Sequence, residues 1–177
     1  MPPAARPCRS ADLEATAEQP WRPLGSEPGD TFMSIVLSNI SGGTCSLQGW
    51  AGLSVFGDDM PVACNGDHDP GCGKGRNTTE PRTMDVTRVP GLTADLVVLA
   101  AGERTSYSLL WSEWRSAGCD ATAVWNPPYG ARIRIPGDSR PLTVAPLPQM
   151  HVCGGRVRLA PIGALFPSYG GTAGGTG

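Results

Sequence analysis

Thr31-Phe-Met-Ser-Ile-Val-Leu-Ser-Asn-Ile40, then Ser41-Gly-Gly43, then Cys45-Ser-Leu-Gln-Gly49, is the stretch on which the fold of this chain turns. Met33, Ile35 and Leu37 recur with a period of two in a run rich in apolar and β-branched residues, the pattern of a strand with one buried face. Ser41-Gly42-Gly43 is turn chemistry, and Cys45, Leu47 and Gly49 begin a return strand. The same alternation extends outward in both directions. Leu13, Ala15 and Ala17 share one face of an earlier strand; Leu53 and Val55 sit on a later one closed by Gly57-Asp58-Asp59. Strand signals resume at Met84 to Val89 and at Asp95 to Leu99. Ala101-Gly102-Glu103 makes a turn before Arg104 to Trp111, where Tyr107, Leu109 and Trp111 alternate inward. Thr122 to Trp125, Ala131 to Ile135, Leu142 to Ala145 and Val157 to Leu159 complete roughly ten short strands at the spacing of a sandwich.

Helical periodicity is almost absent, because 18 prolines and 24 glycines leave no long window for a 3.6-residue repeat. The 177 residues suit one all-β domain, expected over 8–166, after a flexible segment 1–7 and before a disordered Gly-rich tail 167–177. Residues 58–82 are the least regular interior stretch and form an insertion loop.

A net charge of −2 argues against a surface that tracks nucleic-acid phosphates. The nearest thing to a basic cluster is Arg132, Arg134, Arg156 and Arg158, expected as solvent-facing residues of two strands. No apolar run approaches the ~20 residues of a membrane helix, and Leu96 to Ala101 is only strand-sized. The six cysteines, Cys8, Cys45, Cys64, Cys72, Cys119 and Cys153, are even in number and include no C-x-x-C, which points to disulfides in an oxidising compartment. The expected location is therefore secreted or at the cell envelope, although residues 1–8 lack the apolar stretch of a signal peptide. An export signal or lipid anchor absent from this chain reconciles the two observations.

Asn39-Ile-Ser-Gly-Gly-Thr-Cys45-Ser-Leu47-Gln-Gly49-Trp50 carries a resemblance. So do Cys8-Arg-Ser-Ala-Asp12-Leu13 near the start, the run from Leu99 through Gly102 to Trp111, and Cys119, Pro127-Pro128 and Cys153-Gly-Gly155 in that order. Together these resemble a family of exported actinobacterial proteins, the domain of unknown function (DUF) family 4232. The resemblance spans about residues 8–162 and implies an immunoglobulin-like antiparallel β-sandwich, with no known activity. Ala51 stands where the family commonly has proline, and the Cys64–Cys72 insertion has no counterpart in it. Six cysteines permit 15 pairings, and sequence alone does not choose among them. The family pattern implies Cys8–Cys45 and Cys119–Cys153, worth about 4 kcal/mol each in chain entropy, while proximity favours Cys64–Cys72 at about 2.6 kcal/mol.

Chemical motifs are sparse. Cys64, His68 and Cys72, with Asp67 and Asp69, form the best metal-like spacing, but Gly66, Pro70 and Gly71 deny the helix that would align them. The acidic residues Asp58, Asp59, Asp67 and Asp69 match no calcium loop. There are two histidines, His68 and His151, and no G-x-S-x-G elbow, so no Ser-His-Asp triad is expected. Gly71 to Gly75 lacks the order of a phosphate loop, and Met150, His151 and Cys153 would need a free thiolate to make a copper site. Trp50, Trp111 and Trp125 are expected in the core, Trp21 and Trp114 at the surface, with Trp114 the candidate partner contact. Asn39-Ile40-Ser41 and Asn77-Thr78-Thr79 fit the glycosylation sequon, which a bacterial origin would leave inert.

The expectation is a non-catalytic secreted or envelope module with a binding or structural role, without cofactor or metal. Its partner would be an unknown protein or cell-wall component, not nucleic acid. One alternative is an extracytoplasmic metal-binding protein or small hydrolase using the Cys64–Cys72 loop. A second is a cell-wall carbohydrate-binding module using exposed tryptophans.

Overall fold

A computed structural model describes residues 5–22, 30–57, 81–82, 84–112, 119, 128–148 and 150–164. Among them the elements are strands and one short 3-10 turn, and there is no α-helix. In chain order the strands are β1 (Arg6–Pro7), β2 (Leu13–Ala17), β3 (Asp30–Asn39), β4 (Cys45–Leu47), β5 (Gly52–Phe56) and β6 (Pro81–Arg82). They continue with β7 (Asp85–Arg88), β8 (Val97–Leu99), β9 (Arg104–Ser112), β10 (Gly130–Arg134), β11 (Pro141–Val144) and β12 (Arg156–Leu159). The 3-10 turn spans Ser10–Asp12. The all-β expectation is met, and most strands fall within a residue or two of the alternation that announced them. The segment expected from Asp95 is shorter, Val97–Leu99.

The strands form a five-stranded sheet in the order β2-β3-β9-β12-β7, a four-stranded sheet β11-β10-β5-β6 and a three-stranded sheet β1-β4-β8. The longest register is β3 against β9, antiparallel, with Met33 opposite Leu109 and Ile35 opposite Tyr107. Their inward residues Met33, Ile35, Leu37, Tyr107, Leu109 and Trp111 join Val55, Ala131, Ile133, Val157 and Leu159 in one core cluster fed by all three sheets. Turning one face of each strand to a shared core is what period-two burial accomplishes.

Two pairings are parallel rather than antiparallel: β1 with β4 and β12 with β7. Both join a sheet edge to a strand distant in sequence, so no hairpin imposes the antiparallel sense. The return strand expected after Ser41–Gly43 exists as β4, yet it does not fold back on β3. It crosses to the small sheet and pairs with β1 and β8.

Both edges of β3 are taken, by β2 and β9, and the crossing is fastened by Asn39. It is buried, and its amide donates to the carbonyls of Gly43 (2.8 Å), Leu99 (3.0 Å) and Ala100 (3.0 Å), while its Oδ1 accepts from the Ser41 amide (3.0 Å) and hydroxyl (2.7 Å). One side chain thereby holds the end of β3, the turn and the end of β8 together. Asn39 is a buried structural asparagine, not an exposed sequon.

Two disulfides brace the sheets. Cys8–Cys45 closes across 37 residues with Cα atoms 4.9 Å apart, and the adjacent Cys8 amide donates to Ser46 O at 2.8 Å. Cys119–Cys153 closes across 34 residues beside the entry to β12. Both are the pairings the family resemblance implies. Cys64 and Cys72 lie outside the described residues.

The N-terminal segment is fastened by two aspartates. Arg6 makes a two-pronged ion pair to Asp12 (2.7 and 2.8 Å), and Asp12 also accepts from the Arg9 amide at 2.8 Å. Those bonds, the Arg6 guanidinium first, pull the Asp12 carboxyl down to about 2. Asp138 accepts from the amides of Arg140 (3.0 Å) and Ser10 (2.7 Å), which lower it likewise to about 2.

Candidate functional site

The four arginines that the sequence groups together separate onto two sheets. Arg156 and Arg158 stand on β12 in the five-stranded sheet, and Arg132 and Arg134 on β10 in the four-stranded one. On β12 each guanidinium has a carboxylate nearby, Arg156 with Asp85 at 3.9 Å and Arg158 with Asp30 at 3.7 Å. Arg134 makes no ion pair among the described residues.

Register builds the face around Arg132 and Arg134. The odd-numbered residues Ala131 and Ile133 point into the core opposite Val55 and Leu53. The even-numbered ones point outward: Gly130 opposite Phe56, Arg132 opposite Ser54 and Thr143, and Arg134 opposite Gly52 and Pro141. Gly52, Leu53, Ser54, Arg132, Arg134 and Pro141 line a shallow, open groove of about 290 Å³.

Aromatic rings close one end of this face. The Arg132 guanidinium carbon lies 5.4 Å from the centroid of Phe56, within cation–π range. Phe56 meets Tyr129 edge-on at 6.3 Å between centroids, and Tyr129 is 45 % exposed. Two glycines make room for the rings. A Cβ on Gly130 would collide with the Phe56 ring, reaching Cε1 at 2.8 Å. At Gly57, φ is +69° and a Cβ would sit 2.9 Å from Tyr129 Cβ, so a side chain is opposed by both backbone and neighbour. The Tyr129 backbone is fixed from both sides, its amide donating to Phe56 O (3.1 Å) and its carbonyl accepting from Leu147 (2.8 Å).

The groove is thus lined by two guanidinium groups and the Ser54 hydroxyl, with Thr143, Phe56 and Tyr129 beside it on the same face, and its described lining includes no carboxylate. It can pair an anion with a guanidinium fork. A second groove, about 320 Å³, runs past Pro7, Ser46, Gln48, Leu96 and Pro136 beside the Cys8–Cys45 bridge.

The other residues singled out in the sequence fall as follows. Trp111 is buried in the core; Trp50 is half-buried against it, with the Arg88 guanidinium 4.4 Å from its ring centroid. Trp21 is 44 % exposed and stacks on Phe32 at 5.3 Å, so one of its faces is already occupied. Trp114, Trp125 and the whole of the metal-like group Cys64, His68 and Cys72 lie outside the described residues. Cys153 is bridged to Cys119 and offers no thiolate to Met150 or His151. No group of three His, Cys, Asp or Glu side chains placed to hold a metal occurs among the described residues. Sequence reasoning missed Phe56, Tyr129, Gly130 and Ser54. The signal that could have found them is Gly130 followed by Arg-x-Arg on a strand, where a bare position adjoins two outward cations.

No helix among the described residues is long and apolar enough to cross a membrane. The two disulfides point to an oxidising, extracytoplasmic environment. The model of a family described only as a domain of unknown function, DUF4232, matches residues 8–163. No curated protein and no solved structure matches the chain.

Proposed function

This chain belongs to the DUF4232 family, and from that premise we propose that it is a non-catalytic binding module, secreted or held at the cell envelope, with an immunoglobulin-like sandwich as scaffold. The observation that carries the reading is the outer face of β5, β10 and β11, where Arg134 has no carboxylate partner among the described residues and two glycines clear space for Phe56 and Tyr129. An exposed guanidinium at Arg134 and an exposed ring at Tyr129 on one face supply the two kinds of contact that recognition surfaces favour. The face belongs to a domain braced by two disulfides, which suits recognition without a large ordering cost.

The test is co-sedimentation of the purified chain with isolated cell envelopes of the source organism. Wild-type protein should pellet saturably, and Arg134→Glu should remain in the supernatant with an unchanged melting midpoint. A wild-type protein that stays soluble, or an Arg134→Glu protein that pellets equally, removes the binding face from the reading.

A further inference from the structure

We propose that the β5–β10–β11 groove binds a carboxylate-bearing polysaccharide, a strand of acidic sugars lying across the sheet; this rests on the binding-module reading above. Three properties of the surface select that chemistry. The first is charge. Arg134 is exposed with no ion pair among the described residues, and Arg132 next to it on the same face lies over the Phe56 ring. A guanidinium presents a planar fork that matches a planar carboxylate with two parallel hydrogen bonds. With Arg132 engaged by Phe56, one available fork matches one monoanionic group rather than a dense run of charge.

The second property is shape. The groove is shallow and open and crosses three strands, so it suits a polymer segment better than an enclosed small molecule. Arg132 and Arg134 are two positions apart on one strand, roughly 6.5 Å at their Cα atoms. The third is the mixture of apolar and hydroxyl groups. Tyr129, exposed at the end of this face and braced by Phe56, presents a ring on which the apolar C–H face of a sugar packs, and Ser54 and Thr143 can each donate and accept one sugar hydroxyl.

The competing occupants fit less well. A nucleic acid would require a broad basic surface, and the chain carries a net charge of −2. A protein partner would favour a larger apolar centre than this polar groove supplies.

The experiment is affinity electrophoresis of the native full chain through gels containing polygalacturonate, its methyl ester, dextran or poly(glycerol phosphate). Polygalacturonate should retard the wild type, and the methyl ester and dextran should not. Arg134→Ala should raise the apparent Kd at least tenfold and Arg134→Lys by an intermediate factor, because lysine keeps the charge and loses the fork. Arg158→Ala should bind as wild type. Equal loss in Arg134→Ala and Arg158→Ala would reduce the effect to general charge and overturn the assignment. Stronger retardation by poly(glycerol phosphate) than by polygalacturonate would overturn the carboxylate. Retained envelope sedimentation with no retardation by any polymer would sink the glycan and leave the binding module standing; loss of sedimentation would sink both.

Discussion

Arg132-Ile133-Arg134 and Arg156-Val157-Arg158 are the same pattern, two outward arginines around one buried aliphatic residue, on two strands of similar length. Their surroundings differ. Beside β12 lies a parallel neighbour carrying Asp85, and Asp30 approaches from β3, so its arginines sit among acids. Beside β10 lie Gly52, Ser54, Thr143 and Pro141, and no acid among the described residues pairs with Arg134. Alternation decides which residues leave the core. Pairing decides what they meet, and that second decision separates an ordinary charged surface from a candidate binding face.

The largest test of the comparison is at its buried centre, where the two triplets should behave alike. Ile133 is 0 % and Val157 1 % exposed. Ile133→Ala should cost about 2–5 kcal/mol and Val157→Ala a somewhat smaller amount, each read from the shift in denaturant midpoint at constant slope. A loss under about 1 kcal/mol at either site would mean that its strand is not packed as described.

Next in size is the packing that only β10 has. Gly130→Val would force Phe56 off the strand and should cost about 1–3 kcal/mol as an overpacked site. It should also raise the exposure of Tyr129, seen as increased quenching of tyrosine emission by acrylamide in a variant whose tryptophans are replaced by phenylalanine. Unchanged stability and unchanged quenching would show that Phe56 does not lie over Gly130.

Much of this was legible in the sequence and some was not, for physical reasons. Period-two alternation gave β2, β3 and β9 because Leu13, Met33 and Tyr107 with their i+2 partners must leave water together. It could not give partners. Nothing in Cys45-Ser46-Leu47 says that β4 leaves β3 for β8, because β2 and β9 occupy both edges of β3 and Asn39 holds the crossing by three hydrogen bonds to carbonyls, two of them about sixty residues away. A sequon pattern is blind to burial, so Asn39-Ile40-Ser41 reads as a glycosylation motif although Asn39 is buried. The two arginine strands were legible as solvent-facing, but not which neighbours each would meet. Gly130 carries no side chain to announce itself, and its meaning appears only when β5 brings Phe56 over it.

A third arginine gives a scale for the ion pairs on β12. Arg6 is held bidentately by Asp12 at 2.7 and 2.8 Å, whereas Arg156 and Arg158 stand 3.9 and 3.7 Å from their acids. Asp12 and Asp138 are both depressed to about 2 in the folded state. A depressed carboxyl contributes stability that is complete above its unfolded value near 4 and is lost as pH falls toward 2. Acid should therefore loosen the N-terminal segment between about pH 4 and pH 2, seen as faster amide exchange at Arg9 and Ser10, the amides these carboxylates accept from. Asp12→Asn should remove the Arg9 part of that dependence. Equal exchange across the window would break the contrast between a well-made pair and loose ones.

The smallest expected effect discriminates most sharply between the two arginine strands. Arg158→Ala removes an ion pair whose guanidinium side is 44 % exposed, and surface pairs of that kind contribute about 0.2–1 kcal/mol, less at high salt. Arg134→Ala removes no pair among the described residues, and its side chain lies over a groove rather than a core. Its effect on stability should stay within about 0.5 kcal/mol and should not change between low and high salt. Paired melts of the two variants at low and high ionic strength read both quantities at once. If Arg134→Ala destabilises as much as Arg158→Ala, and that loss shrinks with salt, then Arg134 serves the fold through a carboxylate. The two strands would then be the same kind of surface after all. If it does not, any binding lost by that variant is lost from the face itself, because the fold beneath it is unchanged.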